Sequence, residues 1–328
     1  MDIQGIHESA VPWETIVVTV EIVGALAASL WMMHHRVARD MMILGGDPHT
    51  VVALSPLAQP SSYCSLGLLL AYRALATVFY VVVQLYDIYR TSWRCLAFYT
   101  SWNFIAQGSY FACAALRTRK LWKRSMDPQG EYTALRDESM SFLRTNTFVG
   151  ATRRSWLRLD LVLDVCLATS LLIGVVVWTI LYPYAQDIGH PELILNGVSY
   201  CQHVINIVLL QLDFVSTRHT VVLDALPFLI AWPTIYCVFT WIVHGTIKRG
   251  FWPYPFLKLD TPWAPLWYGG LLFAHLVAFL VMLYLSKVKT AYRERSLRQE
   301  DYGNDSESGL ESTPEPLSPR ASEPHGHF

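Results

Sequence analysis

Seven apolar blocks, each bounded by polar or charged residues, dominate the 328-residue chain. They run roughly from Thr15 to Met33, Leu66 to Tyr86, Cys95 to Leu116, Leu161 to Tyr182, Gly197 to Ser216, Thr220 to His244 and Leu266 to Ser286. At a rise of about 1.5 Å per residue, some 20 helical residues match the roughly 30 Å of hydrocarbon in a bilayer. Composition agrees: 53% of residues are apolar and only 16% are charged. The expected fold is all-α, a polytopic transmembrane helix bundle with seven spans.

The first block carries Glu21 and lacks the basic leader and cleavage site of a signal peptide, so it reads as a span. Six cysteines are scattered through or beside the apolar blocks without CxxC spacing, which points to packing and not to zinc or a disulfide framework. A formal net charge of -1 gives no reason to expect nucleic acid as a partner. No internal repeat is visible, which argues against a transporter built from inverted repeats.

Orientation follows from the 25 Lys and Arg. With the N-terminus outside or lumenal, nineteen fall in inner segments, five in outer ones and one, Arg73, within a span. Ten of the nineteen lie in the loop 117–160, which could rest on anionic headgroups or on cytosolic partners. Three regions result: an N-terminal segment 1–65 with the first span, a six-span core 66–286, and an inner tail 287–328. The tail is rich in Ser, Pro and Glu and is expected to be disordered, with Thr313-Pro314 and Ser318-Pro319 as phosphorylation candidates. The endoplasmic reticulum and the plasma membrane both suit such a chain.

Polar residues inside the apolar blocks carry the functional information. In the third block Thr100, Asn103 and Gln107 share one helical face, and in the fifth Ser199, His203, Asn206 and Asp213 do the same. Ser, Thr, Asn and Gln at such depth often only return a hydrogen bond to the preceding turn or bridge helices. An ionisable group costs on the order of 2.5 to 3.5 kcal/mol near the bilayer centre, so Arg73, His203 and Asp213 call for partners or tasks. Arg73 and Asp213 are expected to pair. Thr100 and His203 each lie about five residues inside their blocks, roughly 7 to 9 Å deep in one leaflet, where a hydroxyl and an imidazole can act as nucleophile and base. No cofactor is expected. A haem would need two histidines at one level, and His275 lies roughly 5 Å lower than His203. His244, at the end of the sixth block, is a secondary candidate for the same region.

From Leu66 to Ser286 the chain resembles the androgen-inducible multipass membrane proteins, some of which are threonine hydrolases of fatty acid esters of hydroxy fatty acids, and the related rolling stone branch. The segments that carry the likeness are "AYRALATVFY", "SWRCLAFYTSWNFIAQ", "CQHVINIVLLQLD" and "FWPYPFL". The resemblance implies a six-helix core, here with an added N-terminal span, a nucleophilic threonine at Thr100 and a catalytic histidine at His203. It also matches the family's recurring acidic position to Asp213, and the Tyr-Arg pair of the rolling stone branch to Tyr72 and Arg73. "TSWNF" is closer to the form found in that branch.

Two functions follow. One is an intramembrane hydrolase of fatty-acyl esters, its lipid substrate entering from the bilayer, with Asn103, Gln107 or Asn206 as oxyanion donors or orienting groups. The other is a non-enzymatic multipass scaffold of rolling stone type. A seven-helix receptor is disfavoured, because the third block ends "AALRTRK" and the seventh "LVMLYLSKVK", neither with a receptor-type switch.

Overall fold

The computed structural model describes residues 12–44, 57, 59–61, 63–126 and 159–308. The loop 117–160 lies largely outside them, as do the tail candidates Thr313 and Ser318. Seven helices are present among the described residues: α1 (Trp13–Leu44), α2 (Leu66–Thr91), α3 (Tyr99–Ser125), α4 (Leu159–Asp187), α5 (Gly197–Ser216), α6 (Leu223–Ile247) and α7 (Ala264–Ser308). They contain no strand, only an isolated bridge between Pro60 and Thr217. All but α3 are long and apolar enough to cross a membrane, so the chain is an all-α integral multi-pass membrane protein.

Helix ends follow local chemistry. Ser65 caps α2 by accepting from the Leu68 N–H at 3.2 Å, and Asn196 caps α5 by accepting from Ser199 N–H at 3.1 Å. The α2 helix stops where Ser92 and Trp93 turn left-handed, at φ 48° and 68°. A 3₁₀ turn, Arg94–Ala97, and an extended Phe98 then precede α3. Thr100 therefore lies in the first turn of α3, not five residues inside a helix as its block suggests. Single π turns interrupt α4 at Val177–Leu181 and α5 at Cys201–Ile205, and another ends α6 at Val243–Ile247.

The least apolar helix, α3, holds the bundle together. Lipid tails are as apolar as leucine, so helices in a membrane associate through close packing and interhelical hydrogen bonds. Gln107 accepts from the Tyr80 hydroxyl of α2 at 3.1 Å and from Asn206 Nδ2 of α5 at 3.2 Å. Trp232 Nε1 of α6 donates to Asn103 Oδ1 at 3.1 Å, and Tyr99 meets His275 of α7 at 3.0 Å. The α2 and α3 backbones approach closely at Gly108, where a Cβ would stand 3.0 Å from the Tyr80 Cβ. Polarity in α3 thus faces other helices, which is why hydropathy alone undervalues it.

Arg73 and Asp213 are both wholly buried and joined by two hydrogen bonds, Nε to Oδ1 at 2.8 Å and Nη2 to Oδ2 at 3.1 Å. The guanidinium also donates to Thr118 Oγ1 at 2.8 Å and to the Leu57 carbonyl at 3.3 Å, while the Tyr110 hydroxyl donates to Asp213. At the same end of the bundle His219 sits between Asp164, 2.6 Å away, and Asp160, 3.5 Å away. A separate apolar cluster joins Val18 and Ile22 of α1 to Tyr236, Tyr254, Leu257 and Tyr268.

The described residues from Lys287 onward belong to a second unit. Its described part is helical through Ser308, where disorder was expected from composition; the remainder, 309–328, lies outside the described residues. Once a helix is nucleated, each further residue costs little, and the Arg, Glu, Leu and Gln between Arg293 and Glu300 are good helix formers.

Candidate active site

Thr100 lines a cavity of about 70 Å³ between α3, α4, α6, α7 and the segment Tyr254–Leu257. Its wall is almost wholly carbon, from side chains such as Leu172, Ile173, Val176 and Leu272. The hydroxyls that reach it are tied back: Tyr236 donates to the Ala97 carbonyl at 2.8 Å and Tyr268 to the Leu257 carbonyl at 2.9 Å. The occupant this surface suits is hydrocarbon.

Two polar groups stand beside Thr100. Tyr254 comes from the "FWPYPFL" segment and shares the cavity wall with Thr100, its ring 5.6 Å from that of Phe98 and 6.5 Å from that of Tyr236 between centroids. Burial pushes Tyr254 up to about 12, while its polar neighbours Thr100, Tyr99 and Tyr236 pull the other way.

The second group is His275, also on the cavity wall. Its Nδ1 lies 2.7 Å from the Leu271 carbonyl, which can only accept, so Nδ1 carries a proton. In the neutral ring Nε2 then accepts from the Tyr99 hydroxyl at 3.0 Å. Both ring nitrogens are engaged, and His275 has no lone pair left for Thr100.

His203 is placed differently. It sits in the π turn Cys201–Ile205 of α5, is 6% exposed, and its Nδ1 is buried without a partner. Gln202 anchors this turn to α2 through Asp87 Oδ2 at 3.2 Å. On α4, Gly174 lets the helix approach, since a Cβ there would stand 2.7 Å from Ile207 Cδ1 and 3.4 Å from the His203 carbonyl. The turn packs against α3, yet no hydrogen bond joins His203 to Thr100, and His203 is not part of the cavity wall. Single π turns recur at functional sites because they re-aim one side chain.

Of the other sequence candidates, Asn103 is fully engaged, its Nδ2 donating to the Tyr99 carbonyl at 2.8 Å and its Oδ1 accepting from Trp232. Gln107 and Asn206 bond to each other, each keeping one buried atom unpartnered. His244 stacks on Trp252 with ring centroids 4.1 Å apart. The roles of Tyr99, Tyr254 and His275 at Thr100 were not read from sequence; the Tyr within "WPYPFL" was the one signal available. No protein-family profile, curated protein or solved structure matches this chain.

Proposed function

We propose that the chain hydrolyses fatty-acyl esters within the membrane, with Thr100 as nucleophile and His203 as base. The supporting observation is His203 itself. It is a buried imidazole with an unpartnered nitrogen, on a π turn packed against the helix whose first turn sets Thr100 on an apolar cavity. His275, the other histidine nearby, has both nitrogens engaged.

The acyl chain enters from the bilayer with its ester carbonyl at Thr100, and the methylenes next to the carbonyl fill the cavity. The Thr100 hydroxyl attacks the carbonyl carbon and its proton passes to His203. The bond to the alcohol then breaks, and the departing hydroxy lipid takes that proton. Water attacks the acyl-Thr100 ester and gives its proton through His203 to Thr100 Oγ1, and a fatty acid leaves. The 3 Å or so that a productive hydrogen bond requires is reached on substrate binding, as is common for catalytic pairs in the free enzyme. Tyr254, which shares the cavity wall with Thr100, donates to the oxyanion. The basic segments face the cytosol, so Thr100 and His203 lie toward the outer or lumenal leaflet.

A second reading is a scaffold, favoured by the complete use of Asn103 in holding helices together. Ester hydrolysis by the purified protein in lipid nanodiscs separates the two. His203→Ala is expected to lower turnover by about 10² to 10⁴, and Thr100→Ala to abolish labelling by a hydroxyl-directed phosphonate. Equal labelling and turnover in wild type and both variants, at equal folded amounts, leave only the scaffold.

A further inference from the structure

Five buried polar atoms without partners fall along one seam of the bundle. They are Gln84 Oε1 on α2, Gln107 Nε2 on α3, and Ser199 Oγ, His203 Nδ1 and Asn206 Oδ1 on α5. Two contacts fix the register of α2 against α5: the Tyr80 hydroxyl lies 3.5 Å from the Asn206 carbonyl, and Gln202 donates to Asp87 at 3.2 Å. Tyr80, Gln84 and Asp87 share one face of α2, so Gln84 falls between these contacts, level with His203. Gln107 closes the seam on α3 through Asn206. An unsatisfied buried polar group costs about 1 to 3 kcal/mol, and native proteins meet such groups with ordered water.

We propose that this seam is a water-binding site that supplies the hydrolytic water to Thr100. The chemistry of the five atoms fits water and little else. They include acceptors, an amide donor, a hydroxyl and an imidazole, none of them a fixed charge, and the Asp87 carboxylate at the seam's end is already taken by Gln202 and Arg90. Water needs two to four polar partners, and the seam offers them in succession. It meets α3 at Gln107, seven residues and about 10 Å along the helix from Thr100. This assignment rests on the hydrolase reading, which demands water at a place the apolar cavity does not admit it. A seam water attacks the carbonyl carbon of acyl-Thr100. Its proton passes to the His203 imidazole and then to Thr100 Oγ1 as the acyl bond breaks, and the fatty acid departs.

Two measurements on the full chain in nanodiscs test the proposal. X-ray radiolysis turns bound water into hydroxyl radicals, so His203 and Tyr80 should be oxidised several-fold faster than residues of the same type on the cavity wall, His275 and Tyr236. Labelling should fall to the cavity level in the Gln84→Leu/Ser199→Ala variant and persist in Ser199→Thr. Wild-type labelling no faster than that of the cavity wall overturns the water site, whatever the activity. In the second measurement, rapid quenching should show acyl-Thr100 accumulating in the double variant, with deacylation slowed about tenfold and acylation retained. Unchanged deacylation in a variant that has lost its labelling overturns the supply role. If wild type never acylates Thr100, the hydrolase reading fails and with it the supply role, while radiolysis still decides the water site.

Discussion

Arg73 and Asp213 form a bidentate ion pair at zero exposure, with Thr118, Tyr110 and the Leu57 carbonyl completing the hydrogen bonds of both partners. Such a pair ties α2 to α5 and, through Tyr110 and Thr118, both to α3. Its net stabilisation is small compared with the cost of breaking it, because removal of one partner leaves a buried, uncompensated charge. Arg73→Met is expected to destabilise by about 3 to 5 kcal/mol, and Arg73→Met/Asp213→Leu by less than either single change. Thermal unfolding in nanodiscs measures this; an Arg73→Met protein as stable as wild type contradicts it.

The spans are legible because apolar blocks of membrane length admit few other structures, and Arg73 and Asp213 stand out because charge at that depth is costly. The entry to α3 is not. Ser92 and Trp93 adopt left-handed conformations that glycine would ordinarily announce, so the 3₁₀ turn leaves no mark and Thr100 reads as deeper in its helix than it is. The meeting of Tyr99 with His275 joins residues 176 positions apart, beyond any local pattern. Asp160 ends the basic loop and Asp164 lies in the fourth block, and only the fold brings His219 between them.

That His219 arrangement predicts a pH dependence. Burial opposes its charge, but the hydrogen bonds and negative charges of Asp160 and Asp164 outweigh this and raise it to about 9. A histidine raised above its ordinary value near 6.5 contributes stability that is fully present below that value and is lost as pH rises through about 9. The loss is on the order of 3 kcal/mol. Unfolding followed from pH 6 to 10 should show this decline in wild type and a flatter profile in His219→Gln. Parallel profiles would falsify the charged clamp.

Tyr254 supplies a prediction specific to catalysis. On the cavity wall with Thr100, its hydroxyl can donate to the oxygen that becomes negative as the ester is attacked. Tyr254→Phe keeps the ring contacts with Phe98 and Phe256 and removes only the donor. Turnover is expected to fall by about 10² to 10³ with KM little changed. A rise in KM with turnover intact would instead make the phenol a ground-state contact.

The cavity predicts chain selectivity. Val176 and Ile173 line the cavity from α4, not from Thr100's own helix, so enlarging either fills the space. The neighbouring Gly174 shows how tightly α4 already meets α5, which limits how far the helix can retreat from a larger side chain. Val176→Phe adds roughly the bulk of a few methylenes. It is expected to lower kcat/KM for long acyl esters by about tenfold or more, while short-chain esters, whose tails end before the obstruction, are cleaved as by wild type. Competition between short and long esters of one alcohol measures the ratio directly. An unchanged ratio means that the acyl chain lies elsewhere and that Thr100, if it reacts, is reached from another side.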